Sequence, residues 1–322
     1  MKLTVFQLEQ LLQLATEAAL KAGTFINSVD RSSLQVHSKQ AGSSLSAQVV
    51  TQVDLDSQAI ILEILQPTIE QYDIALLTEE NACEEDVATH ARFDKDYFWC
   101  IDPLDGTLPF IEGGNGFAVS IALVDIAGNP IIGVVHNPST GELYQAINAL
   151  PLTSIVLKNR APWQPERLKK NSQSLRLYID RSFLQDPRYP AVIEKLTILS
   201  EQQGLALQVN KTSGAVMNAI GVLEQAPACY LKLPKAQLGG GSLWDFSATA
   251  AITQALSTQY LASSSQACCG VSDYQGAALD LNRTDSNYMN HKGVLYSSGL
   301  KHDHSNLSIN IVGETCSVIT TV

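Results

Sequence analysis

The sequence predicts an α/β protein in two halves, an α+β half over residues 1–155 and an α/β half over residues 156–322, and three observations predict it. Residues 6–27 carry apolar side chains at Leu8, Leu11, Leu12, Ala15, Ala18, Ala19, Ala22, Phe25 and Ile26, the i, i+3, i+4, i+7 stripe of an amphipathic helix. Residues 117–147 instead alternate apolar runs with turn clusters at Gly128-Asn129-Pro130 and Asn137-Pro138-Ser139, which reads as an antiparallel hairpin series. From about residue 151 the texture changes to strands interleaved with helices.

Taken in order, the first helix is followed by "VHSKQAGSSLSAQVV", small and polar, which predicts a loop. "DLDSQAIILEILQPTI" predicts a second helix, capped near Asp54 or Asp56 and stopped by Pro67. "IALLTEEN" reads as a short buried strand ending in Glu79 and Glu80. The run Tyr97 to Ile101 is strand-like and leads into a DPLD turn that holds Asp102 and Asp105. In the second half come "SLRLYIDR", a helix near 188–203, "LALQVN" and a helix over 213–225. A final helix begins at "WDFSATAAITQAL", and a strand-rich tail follows. The boundary near 150–165 is a change of texture, with no internal repeat and no low-complexity linker.

Composition narrows the function classes. With 45% hydrophobic and 16% charged residues, the 322-residue chain has the profile of a globular protein. Its net charge of -11 disfavours a nucleic-acid polymer or an anionic membrane as partner. A small anionic substrate then requires a local cation. The six cysteines (Cys83, Cys100, Cys229, Cys268, Cys269, Cys316) form no C-x-x-C pair. Cys100 and Cys229 read as core residues, and the vicinal Cys268-Cys269 as strand or turn thiols. "MKLTVFQLEQ" turns polar too soon for a signal peptide, and no apolar run reaches about 18 residues, so a cytoplasmic protein is expected. The pair His302/His304 reads as part of an exposed loop, the basic run 167–170 is too small for nucleic-acid binding against a charge of -11, and the "LGGGS" stretch at 238–242 reads as a flexible connection ahead of Trp244.

The acidic residues carry the chemistry. Asp54 opens a helix, Glu79 and Glu80 close a strand, Asp102 and Asp105 follow another, and Asp245 follows Trp244. Carboxylates gathered at low dielectric repel one another and protonate unless a cation neutralises them. An all-oxygen set with no His or Cys partner points to Mg²⁺ rather than Zn²⁺. Gly106 permits close backbone approach, free N–H groups at a turn start cradle a phosphate, and Thr107 supplies a hydroxyl that can orient a water. Together these features describe metal-assisted phosphoryl transfer to water.

"DPLDGTLPF" resembles the D-P-[ILV]-D-G-T signature of the inositol monophosphatase family, and "LWDFSATAAI" resembles its W-D-x-x-[AS]-x-x signature. "LLTEEN" and "TQVDLDSQAIILEIL" are similar to two further family segments, all four in the family's order between residues 51 and 250. The resemblance implies a layered α/β/α/β/α sandwich and a Mg²⁺-dependent phosphomonoesterase acting on a small phosphorylated metabolite with two or three ions. It implies that Glu79, Asp102 and the Leu104 carbonyl hold a first metal, and Asp102, Asp105 and Asp245 a second. Glu79 and Thr107 would position the water, and Asp54 would support a third ion or act through Thr107. Ser213 and Gly214 would lie beside the substrate with Gly106, Thr107, Lys232 and Asp245. Inhibition by Li⁺ is likewise implied, and family members are often dimers, although no interface is legible in these residues.

The departures bear on substrate. Leu108-Pro109-Phe110 follows D-G-T where the family commonly has Thr-Asn-Phe or Lys-Glu-Phe, and Pro227 stands where an Asp is expected. Two residues beyond Tyr230 comes Lys232. Inositol-specific members carry a carboxylate there, and members acting on 3'(2'),5'-bisphosphate nucleotides a basic residue. A lysine cannot accept from a hydroxyl but pairs with a second phosphate. The resemblance therefore favours a bisphosphate nucleotidase that takes adenosine 3',5'-bisphosphate to AMP. The alternatives are an inositol-1-monophosphatase and a catalytically silent sensor of a phosphorylated ligand.

Overall fold

A computed structural model describes residues 2–31, 36–38, 49–82, 87–149, 153–165, 172–235, 241–264, 269–285 and 288–299. Cys83, Cys268, Cys316, His302, His304 and the basic run 167–170 lie outside them, as does most of "LGGGS". Helix α1 (Val5–Ser28) starts on a capping box, the Thr4 hydroxyl accepting from the Gln7 N–H and the Gln7 side chain accepting from the Thr4 N–H. Its apolar stripe is buried as the spacing predicts, with Phe25 only partly covered. Strands β1 (Val36–Ser38) and β2 (Val49–Thr51) pair antiparallel within the stretch expected to be loop.

Helix α2 (Gln52–Tyr72) does not stop at Pro67, which lies inside it. Pro67 and Glu63, whose carbonyl the proline leaves without its helical donor, both sit on the exposed side, where water can take the bond. On the opposite side Thr68 is buried and accepts from the Trp99 indole N–H at 2.9 Å, docking the last turn onto the neighbouring sheet. Packing decides where this helix ends.

Strands β3 (Ala75–Thr78) and β4 (Tyr97–Asp105) pair in parallel. After the short helix α3 (Thr107–Ile111) come β5 (Ala118–Asp125), β6 (Pro130–Asn137), β7 (Glu142–Ala149), β8 (Thr153–Lys158) and β9 (Ala161–Pro162), each antiparallel to the strand before it. They complete a seven-stranded sheet in sequential order. Next in the chain are β10 (Ser174–Tyr178), α4 (Tyr189–Gln202), β11 (Ala206–Asn210), α5 (Ala215–Glu224), β12 (Ala228–Lys232), α6 (Leu243–Ser264), β13 (Cys269–Ser272) and β14 (Val294–Ser298). Their strands form a second sheet in the order β11-β10-β12-β14-β13, parallel around β10 and antiparallel around β14.

Three cores separate the layers. Alternate residues of β4 to β7, among them Trp99, Ile101, Val119, Ile121 and Val134, pack against α1 and α2. Their neighbours Phe98, Cys100, Ala118, Ala122 and Val135 face α5 and α6, which are covered on the far side by Ala228, Tyr230 and Tyr296 of the second sheet. Leu175, Leu177, Cys229 and Leu231 pack outward against Val192 and Leu196 of α4. The result is the α/β/α/β/α sandwich that the family resemblance implies. Period-two alternation with apolar residues on both faces is what a doubly covered sheet demands. Among the described residues no helix is long and apolar enough to cross a membrane.

Candidate active site

Asp102 and Asp105 do not sit in a turn beyond β4; they belong to the strand. Asp102 pairs with Ser120 and Asp105 with Ala118, and the register shifts between them. Pro103 lies in the irregular segment because it has no N–H to give to the ladder. Both carboxylates are buried, Asp102 at 2% exposure and Asp105 at 6%. Asp245, in the first turn of α6, joins them: one oxygen of each of the three lies within 4.8 Å of the others.

Each carboxylate is held by backbone amides. The Leu104 N–H donates to Asp102 at 3.0 Å, and the Ser242 N–H donates to Asp245 at 3.0 Å. Asp105 receives the first amides of α5, from Ala215 at 3.1 Å and Val216 at 3.0 Å. A helix N-terminus carries partial positive charge, so this is a favourable place for an anion. The approach requires glycine at 214, where a Cβ would come 2.3 Å from an Asp105 oxygen. Gly106 turns the chain at a φ of 83°, and a Cβ there would lie 2.7 Å from the Gly116 carbonyl.

Even with these donors, burial drives the carboxylates toward the protonated form. Burial first, then the charges of Glu79, Asp105 and Asp245, lifts Asp102 well above the usual aspartate range. Burial and Asp245 do the same to Asp105, against the Val216 amide and Lys232. Asp245 is raised by burial despite Lys232 beside it. Excess negative charge packed on hard oxygen donors fits a divalent cation such as Mg²⁺. Glu79 stands at the end of β3, its N–H bonded to the Ile101 carbonyl, and its charge bears on Asp102 from outside the three-oxygen group.

Thr107 connects the carboxylates to α2. Its hydroxyl donates to Asp54 at 3.0 Å and to the Leu104 carbonyl at 3.2 Å. Asp54 is buried at 2% exposure in the first turn of α2, and Ser57 one turn on donates to the Pro103 carbonyl. With its proton committed, the Thr107 oxygen is left to accept from a water. Ser213 and Gly214 lie against the loop after α3, the Gly214 N–H bonded to the Gly116 carbonyl at 2.7 Å.

Lys232 is the last residue of β12, and its ammonium lies 3.0 Å from Asp180 and 3.5 Å from Asp245. Asp180 is the residue that sequence reasoning missed. Its other oxygen accepts from the Tyr230 hydroxyl at 2.6 Å. The signal was present: Asp180 directly follows the apolar strand "SLRLYI", as Asp102 follows "YFWCI". Parallel pairing of β10 with β12 sets Tyr178 beside Tyr230, so the residues two further along, Asp180 and Lys232, emerge together. Beyond them Ser182, Asp186 and Lys235 line a cavity of about 40 Å³ with the same pair.

Known proteins share this architecture. The model of the inositol monophosphatase family matches residues 7–310. A histidinol-phosphatase of Chlorobaculum parvum is 30% identical over 243 residues, 73% of this chain and 85% of that protein. An inositol-1-monophosphatase of Synechocystis is 36% identical over 186 residues, 57% of this chain and 59% of its own length. The solved inositol monophosphatase of Anabaena superposes with a TM-score of 0.63 at 21% identity, covering 98% of this chain and 97% of that one.

Proposed function

For this chain, which belongs to the inositol monophosphatase family and is a phosphoric monoester hydrolase, we propose a Mg²⁺-dependent hydrolysis of a 3'(2'),5'-bisphosphate nucleotide by a directly attacking water. The observation that carries the reaction is the triad of buried Asp102 and Asp105 with the partly buried Asp245, one oxygen of each within 4.8 Å of the others. Glu79, Asp102 and the Leu104 carbonyl would hold one cation, and Asp102, Asp105 and Asp245 another. The cations supply charge neutralisation and Lewis acidity at the phosphoryl group.

The chain's own residues do the positioning. Thr107, held by Asp54, presents an oxygen lone pair that fixes the direction of the attacking water, with Glu79 as its second support. The Gly106-Thr107 turn offers backbone amides to phosphoryl oxygens, and the left-handed Gly106 makes the turn by letting the Gly116–Phe117 backbone pack against it. Asp105 stays in place because α5 grips both its oxygens. Rigid placement of this kind lowers the barrier by removing the need to reorganise during reaction.

Support for a second phosphate comes from Lys232 and Lys235, which line one small cavity, Lys232 also lying 3.5 Å from Asp245. A second reading, a polyol monophosphate, is favoured by the Lys232–Asp180 contact at 3.0 Å, since a neutral pair offers a donor and an acceptor to hydroxyls. Phosphate release from adenosine 3',5'-bisphosphate, inositol 1-phosphate and histidinol phosphate, each with Mg²⁺ or a chelator, tests both. Higher kcat/KM for the bisphosphate supports the first reading, and the reverse order supports the second. No Mg²⁺-dependent release from a wider panel overturns the catalytic reading in favour of a phospho-ligand sensor.

A further inference from the structure

We infer that Lys232 is the built-in counter-ion of the carboxylate cluster. Without metal its ammonium shares the charge of Asp245 with Asp180; a divalent cation at Asp245 leaves it to Asp180 alone. Lys232 thereby sets how tightly the cation at Asp245 is held. The inference rests on the metal-binding reading of Asp102, Asp105 and Asp245, and extends it to a residue outside the ligand set.

The ammonium is crowded by its neighbours. Asp180 lies 3.0 Å away, Asp245 3.5 Å, and the Phe246 ring centroid 5.3 Å. Gly241 crowds another side, where a Cβ would come 2.7 Å from the nitrogen, and the side chain otherwise borders the small cavity it shares with Lys235. The side chain is only 19% exposed, so its charge acts at low dielectric. One ammonium therefore faces two carboxylates, and one of those two belongs to a group with negative charge to spare. A purely structural ion pair needs only one partner.

The two contacts differ in kind. The contact to Asp180 is at hydrogen-bonding distance, and the one to Asp245 is a looser ion pair, so the lysine can give up Asp245 and keep its bond. Asp180 does not depend on Lys232 for its position, because the Tyr230 hydroxyl holds its other oxygen at 2.6 Å. Tyr230 is itself buried between Phe246 and Tyr296. Asp180 is thus a fixed perch beside the cation site.

With its ammonium 3.5 Å from the Asp245 carboxylate, Lys232 would weaken the binding of a divalent cation there on the order of tenfold even at the dielectric of water. Metal-stripped wild type, Lys232→Met, Lys232→Arg and Asp180→Asn are titrated with Mn²⁺ by calorimetry and melted with and without Mg²⁺. Lys232→Met is expected to bind Mn²⁺ about tenfold tighter or more, to melt lower without metal, and to gain more from Mg²⁺. Lys232→Arg, which keeps the charge, stays near wild type. Asp180→Asn removes the perch, leaves the ammonium to Asp245, and weakens Mn²⁺ binding. Opposite signs for Lys232→Met and Asp180→Asn are the signature; a merely structural pair would lower stability in both and leave affinity unmoved. Unchanged or weaker Mn²⁺ binding by Lys232→Met overturns the inference. A wild type that binds no Mn²⁺ and gains nothing from Mg²⁺ overturns instead the metal reading beneath it.

Discussion

The two sheets contribute opposite things to one cleft. The seven-stranded sheet and its α2 cover bring Asp54, Glu79, Asp102, Asp105 and Thr107 from within a single span of chain, all acidic but for one hydroxyl. The second sheet brings Asp180 and Lys232 from two parallel strands, a carboxylate already matched by a cation. Asp245, on the helix between the sheets, faces both. On the proposed reading, the difference teaches that charge is left uncompensated where a cation would act, and is balanced where a leaving group would be recognised. The two sides remain connected through α5, whose N-terminal amides reach across to Asp105.

The largest effect that could break this comparison is expected from Asp105→Asn. It should lower Mg²⁺-dependent kcat/KM by about a thousandfold, measured as phosphate release, while the protein remains folded by circular dichroism. Near-normal turnover in a folded variant would show that the uncompensated side does not serve a metal.

A smaller effect is a pH dependence of the metal-free protein. The folded-state values of Asp102, Asp105 and Asp245 are raised, chiefly by burial, above the 3.8 of an ordinary aspartate. Between the ordinary and the raised values the native state binds more protons than the unfolded state. Stability from these groups is therefore complete below about pH 3.8 and is lost as pH rises through the raised values. Thermal melts should show wild type falling behind Asp105→Asn progressively as pH climbs, with saturating Mg²⁺ removing the gap. A gap independent of pH would mean that the first side carries no net repulsion.

The smallest effect sharpens how the sides are joined. Arg181 and Glu112 link the loops after β10 and α3 through two bonds of 2.7 Å, but their side chains are 41% and 47% exposed. Exposed pairs of this kind contribute about 1 kcal/mol or less, so Glu112→Gln should lower Tm by no more than about 2 °C. A larger drop in a melting scan would move the connection from the buried Asp105–α5 contact to the surface.

Much of this was legible beforehand because it is local. The stripe of α1 and the alternation of β5 to β7 follow from the repeat of helix and strand, and those elements appear where the pattern places them. Failures came where a distant contact overruled a local rule. Pro67 should end α2, but the Trp99–Thr68 bond and an exposed carbonyl side let the helix run on to Tyr72. The DPLD stretch looks like a turn, but Asp102 and Asp105 find partners on β5 across a bulge. The polar stretch after α1 looks like loop, but Val36–Ser38 and Val49–Thr51 find each other.

By itself the sequence determined the acidic residues that close apolar segments, the hydroxyl next to them and hence the class of reaction, since these depend on short spacings along the chain. Only the tertiary structure decided that Lys232 meets Asp180 and Asp245. Asp180 and Lys232 are 52 positions apart and meet because β10 and β12 run parallel in one register, with Tyr178 beside Tyr230. Strand register over such a distance is set by the packing of two cores, and no local pattern encodes it.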